Sequence, residues 1–155
     1  MINIKYEELP DVEKKLLNEA EKAMETAYGP YSKFYVGAAL LTNDGTIITG
    51  SNFENSAYGS TICAERGVIL RANAMGYKKH KEIAIIGRGE DFDTEEVIAP
   101  CGSCRQVLYE VSQISDYNMK IILSTTKKEK IIITSINELL PLAFRPKDLR
   151  IDIKK

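Results

Sequence analysis

No apolar run in these 155 residues approaches the roughly 20 needed to cross a bilayer, and the opening Met1-Ile2-Asn3-Ile4-Lys5-Tyr6-Glu7 carries no signal-peptide core. Membrane-spanning and secreted proteins are therefore set aside, and the expected compartment is the cytosol. An excess of one charge is lacking too. With 21 basic and 22 acidic residues the formal net charge is -1, so nothing draws the chain in general to a nucleic-acid polymer. Repeats and low-complexity tracts are absent. A composition of 44% hydrophobic and 28% charged residues describes a single globular domain over 1–155, large enough to bury its own core. Histidine occurs once, as His80 among Lys78, Lys79 and Lys81, and is poorly placed to join a ligand cluster. Cysteine is scarce as well. An odd total of three argues against a disulfide framework and fits a reducing compartment in which thiolates hold a metal.

What the chain does have is concentrated. All three cysteines lie in two short runs, Cys63-Ala64-Glu65-Arg66 and Pro100-Cys101-Gly102-Ser103-Cys104. A Cys-x-x-Cys pair at a loop-to-helix corner has the bite that tetrahedral zinc wants, with Zn–S distances of about 2.3 Å. Three thiolates leave the fourth position open, as in catalytic rather than structural zinc sites. Glu65, two residues beyond the first ligand, is placed to move a proton of the water bound there. A thioredoxin-like redox pair would need neither Cys63 nor Glu65. The order ligand-x-Glu, then Pro-Cys-x-x-Cys, is the zinc-deaminase signature, in which the Glu is acid and base and not a ligand.

Periodicity supplies the frame. Val12, Leu16, Leu17, Ala20, Ala23, Met24 and Ala27 keep a helical period, which predicts a helix from about Pro10-Asp11 that stops before Gly29-Pro30, with a solvated charged face that includes Glu13 and Glu21. Strands over 35–41 and 46–50 flank Asn43-Asp44-Gly45 as a hairpin. A second helix is predicted over 62–74, with Val68, Ile69, Leu70 and Ala72 mostly buried and Gly76 as its stop. An apolar strand over 82–87 reads as buried on both faces, and 88–96 as a surface loop. A third helix runs from about Gly102 to Ile114. Strands over 119–124 and 130–134 flank a solvated Lys-rich turn at Lys127-Lys128-Glu129-Lys130, and Ser135 with Glu138 forms a capping box for a last short helix. Five strands with interleaved helices predict an α/β fold, a three-layer α-β-α sandwich on a mixed five-stranded sheet. Both cysteine groups fall at helix N-termini, whose partial positive charge offsets that of three thiolates.

The chain resembles the small, all-cysteine zinc type of cytidine deaminase. The likeness runs through Tyr28-Gly29-Pro30-Tyr31-Ser32-Lys33-Phe34, Val36-Gly37-Ala38-Ala39-Leu40, Gly50-Ser51-Asn52-Phe53-Glu54-Asn55, both cysteine runs with Arg105-Gln106, and Leu139-Leu140-Pro141-Leu142-Ala143-Phe144. It implies hydrolytic deamination of cytidine and deoxycytidine, a pyrimidine-salvage reaction, with one Zn2+ per subunit on Cys63, Cys101 and Cys104 and Glu65 as the catalytic proton carrier. It further implies that Asn52 and Glu54 hold the ribose hydroxyls and Phe34 packs along the nucleoside. The backbone at Ala64 bonds the base edge, and Arg66 hydrogen-bonds the ligand thiolates. The matching Phe144 stacks on the pyrimidine in a neighbour's site, so a homotetramer with shared active sites is expected. Gly67, Phe53 and Leu142 depart from the family pattern around the pocket. A same-family aminohydrolase acting on another cytosine compound such as blasticidin S, and a non-catalytic zinc-stabilised module, are the alternatives.

Overall fold

Runs of Ile, Val and Ala pair into a mixed sheet of six strands. The computed structural model describes residues 1–154. Its strands are β1 (Ile2–Ile4), β2 (Phe34–Thr42), β3 (Ile47–Ser51), β4 (His80–Gly89), β5 (Lys120–Ser124) and β6 (Ile131–Ser135), in the order β1-β6-β5-β4-β2-β3. Helices α1 (Asp11–Met24), α2 (Ala64–Ala74), α3 (Gly102–Ser115) and α4 (Ile136–Leu139) complete an α/β sandwich. The expected five strands are present. The additional one is β1, which pairs antiparallel with β6 from Ile2–Ile133 to Ile4–Ile131. Three residues show no period of their own, so this strand is defined by its partner.

β4 is central. It runs antiparallel to β2 and parallel to β5, and a parallel neighbour requires a crossover, which α3 provides. Its residues alternate between two cores: Ile83 and Ile85 pack with α2 and α3, Ala84 and Ile86 with α1. β2 and β3 form the expected hairpin, where Gly45 takes φ +90°, a conformation L side chains rarely adopt. The helices approach the sheet very closely at two glycines. A Cβ on Gly37 would fall 1.9 Å from the Ala20 carbonyl oxygen of α1, and one on Gly50 would fall 2.8 Å from the Val68 nitrogen of α2.

Several local expectations are corrected. α1 ends at Met24, short of Ala27, and its charged face is not wholly solvated. Glu13 is 3% exposed because its carboxylate meets Lys120 of β5 at 2.7 Å, and Lys120 also reaches Glu82 of β4 at 3.4 Å. α2 begins at Ala64, two residues later than expected, and Leu70 points out of the core. Arg88 and Gly89 extend β4 rather than open the loop. The Lys-rich turn is tied down: Lys128 pairs with Glu21 and lies over the Tyr6 ring, and Lys130 pairs with Glu96. The Ser135–Glu138 capping box forms as expected.

Candidate active site

Two helix starts build the metal end of the site. Cys63 is the N-cap of α2, Cys101 is the N-cap of α3, and Cys104 lies in the first turn of α3. Unpaired backbone N–H groups and the positive ends of both helix dipoles thus converge on the sulfurs. The three Sγ atoms lie within 4.8 Å of one another, and among the described residues they form the one group able to hold a metal ion. Tetrahedral zinc at about 2.3 Å from each sulfur spaces its ligands about 3.8 Å apart, so the donor set fits zinc. His80 is not in the group. It heads β4, buried, with its N–H donating to Ser115 Oγ.

Charge is organised around Cys63. The Cys104 thiol donates to it, and despite partial burial the Arg66 guanidinium helps hold the Cys63 thiol down to about 5. The same contact and burial push Cys104 up. Arg66 Nη2 lies 3.7 Å from Cys63 Sγ and donates to the Thr61 carbonyl at 3.0 Å, which fixes the guanidinium beside the sulfur. Glu65 is 5% exposed. Burial first, and then the Cys63 charge, push its carboxyl above the ordinary carboxylate range.

These groups open into a pocket of about 280 Å³. Of the residues singled out in the sequence, it gathers Phe34, Asn52, Glu54, Cys63, Ala64, Glu65 and Cys101 on its walls. Cys104 is fully buried behind them. Phe144 is not part of its own chain's pocket; it is 59% exposed, with its carbonyl accepting from Gln106 Nε2 at 2.9 Å. A larger groove of about 630 Å³ lies beside α1, but it is lined by charges of both signs, among them Glu21, Arg88, Asp93 and Lys127, and holds none of the cysteines.

Asn52 and Glu54 line the same pocket as Cys63 and Cys101, but neither side chain hangs free. Asn52 Oδ1 accepts from the Val36 N–H at 2.8 Å and its Nδ2 donates to the Phe34 carbonyl at 3.0 Å. Glu54 Oε2 accepts from the Tyr31 and Ser32 N–H groups at 2.9 and 3.1 Å, while Oε1 accepts from the Ser32 hydroxyl and, at 3.5 Å, from Tyr58. Burial pushes the Glu54 carboxyl up, yet these donors together outweigh it and leave the group below its ordinary range. It is a buried, ionised carboxylate. Sequence reasoning missed Ser32, Tyr58, Ile98 and Ala99 on the pocket wall. Ser32 sat in a motif already quoted, but nothing local ties its hydroxyl to a carboxylate 22 positions on.

A family model described as the cytidine and deoxycytidylate deaminase zinc-binding region matches residues 10–120. A cytidine deaminase of Sporosarcina psychrophila is 46% identical over 139 residues, covering 90% of this chain and 95% of that protein. One from Halalkalibacterium halodurans is 42% identical over 134 residues, covering 86% and 95%. The crystal structure of the cytidine deaminase from Burkholderia pseudomallei superposes with a TM-score of 0.74 at 42% identity, over 84% of this chain and 97% of that one.

Proposed function

The chain belongs to the cytidine and deoxycytidylate deaminase family, and from that premise we infer that it hydrolyses the exocyclic amine of cytidine and deoxycytidine to give uridine, deoxyuridine and ammonia. The observation that carries this reading is a buried carboxyl, Glu65, lining one pocket together with Cys63 and Cys101 of the cysteine cluster and with the polar pair Asn52 and Glu54.

Cys63, Cys101 and Cys104 hold zinc. When bound, zinc supplies the Lewis acidity that makes a water molecule nucleophilic near neutral pH. Glu65 takes a proton from the attacking water and delivers it to ring N3 as the C4–O bond forms. It then takes the second proton from the new C4 hydroxyl and gives it to the amine as the C4–N bond breaks, so ammonia leaves and a carbonyl remains. A raised carboxyl suits this double duty, because the group must accept and donate at the same pH. Arg66, beside Cys63, offsets the charge of three thiolates. The Ala64 backbone meets the base edge, Phe34 packs along the nucleoside, and Asn52 and Glu54 hold the sugar.

Phe144 serves a neighbour. Its exposure, its absence from its own pocket and the fully open Leu142 two residues before it support a contact with another copy, completed as a homotetramer in which each pyrimidine stacks on a partner's Phe144. No helix of the described chain is long and apolar enough to cross a membrane, and the cytoplasm is the proposed location.

The test is the fall in ultraviolet absorbance when zinc-loaded protein meets cytidine, deoxycytidine and blasticidin S in parallel. Loss with the two nucleosides, abolished in Glu65→Gln while zinc stays bound, is the expected result. Turnover of blasticidin S alone would transfer the reading to another cytosine compound.

A further inference from the structure

Glu54 has no acceptor left over in the free protein. A carboxylate offers about four lone-pair directions, and here the Tyr31 N–H, the Ser32 N–H, the Ser32 hydroxyl and the Tyr58 hydroxyl fill them. Any sugar hydroxyl that bonds to this carboxylate must displace one donor. The two backbone donors are fixed by the chain. Tyr58 is the weak member, at 3.5 Å and on a ring that is 57% exposed, so its direction on Oε1 is the one a ligand takes over.

Ser32 behaves differently. Its Oγ donates to Glu54 Oε1 and accepts from the Phe34 N–H at 3.1 Å, so one hydroxyl joins the carboxylate to the backbone of an aromatic pocket residue. The carbonyl of the same residue, Phe34, accepts from Asn52 Nδ2 at 3.0 Å. Ser32, Phe34, Asn52 and Glu54 are thus one hydrogen-bonded frame, with Ser32 as its joint. We propose that Ser32 is the positioning residue that sets discrimination between sugars with and without 2′- and 3′-hydroxyls, by pinning Oε1 so that the lone pair given up by Tyr58 is presented to the ligand. The proposal rests on the reading above that the sugar lies at Glu54.

Removing the Ser32 hydroxyl leaves Oε2 anchored and Oε1 loose. A ligand hydroxyl then has to order its own acceptor, whereas a ligand without 2′- and 3′-hydroxyls has nothing to lose at this position. Phe34 stays held through its carbonyl. A residue needed merely to fold the loop would weaken both ligands alike.

The experiment measures uridine and 2′,3′-dideoxyuridine as competitive inhibitors of cytidine deamination by the zinc-loaded protein. In Ser32→Ala the inhibition constant of uridine rises about tenfold, the scale of a hydrogen bond to a charged group, while that of the dideoxy analogue changes less than about twofold. Ser32→Thr, which keeps the hydroxyl, restores the parental ratio. Should Ser32→Ala fail to fold, Ser32→Cys, with its weak S–H donor, shifts the ratio the same way to a smaller extent. An unchanged ratio, or one that rises in favour of uridine because Ser32 merely blocked Oε1, overturns the proposal. Equal inhibition of the unaltered protein by the two ligands overturns the placement of the sugar at Glu54, and absence of cytidine turnover overturns the function; either takes this proposal with it.

Discussion

Gly67 lies inside α2, its N–H donating to the Cys63 carbonyl at 2.9 Å. A glycine there costs about 1 kcal/mol relative to alanine, through backbone entropy. Packing within the chain gives no reason for it. A Cβ at Gly67 would meet the Ser51 carbonyl oxygen at 3.5 Å and Ile62 Cγ2 at 3.9 Å, both ordinary contacts. Gly50, which faces the same helix from β3, is the opposite case, because its Cβ would sit 2.8 Å from Val68 N and 3.0 Å from Val68 Cα, backbone atoms that cannot turn aside. Gly67→Ala therefore stabilises by about 1 kcal/mol, and Gly50→Ala destabilises by about 1–3 kcal/mol through overpacking. In thermal melts of zinc-loaded protein, a chain of this size gains about 2–4 °C per kcal/mol. Urea midpoints with an unchanged slope confirm that the native state is what moved. A Gly67→Ala variant that melts below its parent refutes the reasoning, since space counted as open would then be filled from outside the chain.

Chelation is expected to remove zinc and activity together and to lower the melting temperature; zinc at a hundred times its dissociation constant stabilises by about 2.7 kcal/mol, and an unmoved melt would deny it a place in the fold. Burial, reinforced by the Glu13 charge and opposed by Lys120, raises the Glu82 carboxyl. The folded state then binds that proton more tightly than the unfolded one, so the contribution favours folding below the ordinary carboxyl range and fades as pH rises through the raised value. Glu82→Gln should accordingly show a higher urea midpoint than its parent at pH 8 and no gain at about pH 4; Lys120 keeps Glu13 at 2.7 Å in the variant. For Phe144, mixing Phe144→Ala chains with Glu65→Gln chains restores activity in roughly a quarter of the sites of a random one-to-one oligomer if sites are shared. Assays of mixtures that stay at the sum of the two separate variants would place Phe144 outside the neighbour's pocket.

The metal centre was legible because its information is local. Cys63-Ala64-Glu65-Arg66 and Cys101 to Cys104 each sit at one helix start, and a chain with three cysteines leaves few other ways to group them. The helices and central strands were legible for the same reason, since Leu16, Leu17, Ala20 and Ala23 keep a period within one turn or two. What escaped is made by contacts between distant elements. Glu13 looks like any residue on a charged helix face until β5 brings Lys120 to it. β1 is three residues whose strand character lies in Ile131 to Ile133. Ser32 and Tyr58 read as loop residues until the turn folds their hydroxyls onto Glu54.

Between Cys63 and Cys101 the chain carries all of α2 and all of β4, the middle of the sheet. A metal that joins the two ends of this stretch is a staple across the centre of the molecule. Its jaws meet where α2 and α3 pack on the same core as β4, so the ion ties the starts of both helices to the middle of the sheet. Once closed, the staple forbids the unfolded chain its widest central loop. The ion should then leave on the timescale at which the middle of the sheet opens, and be indifferent to fraying at the outer strand β1, which pairs only with β6.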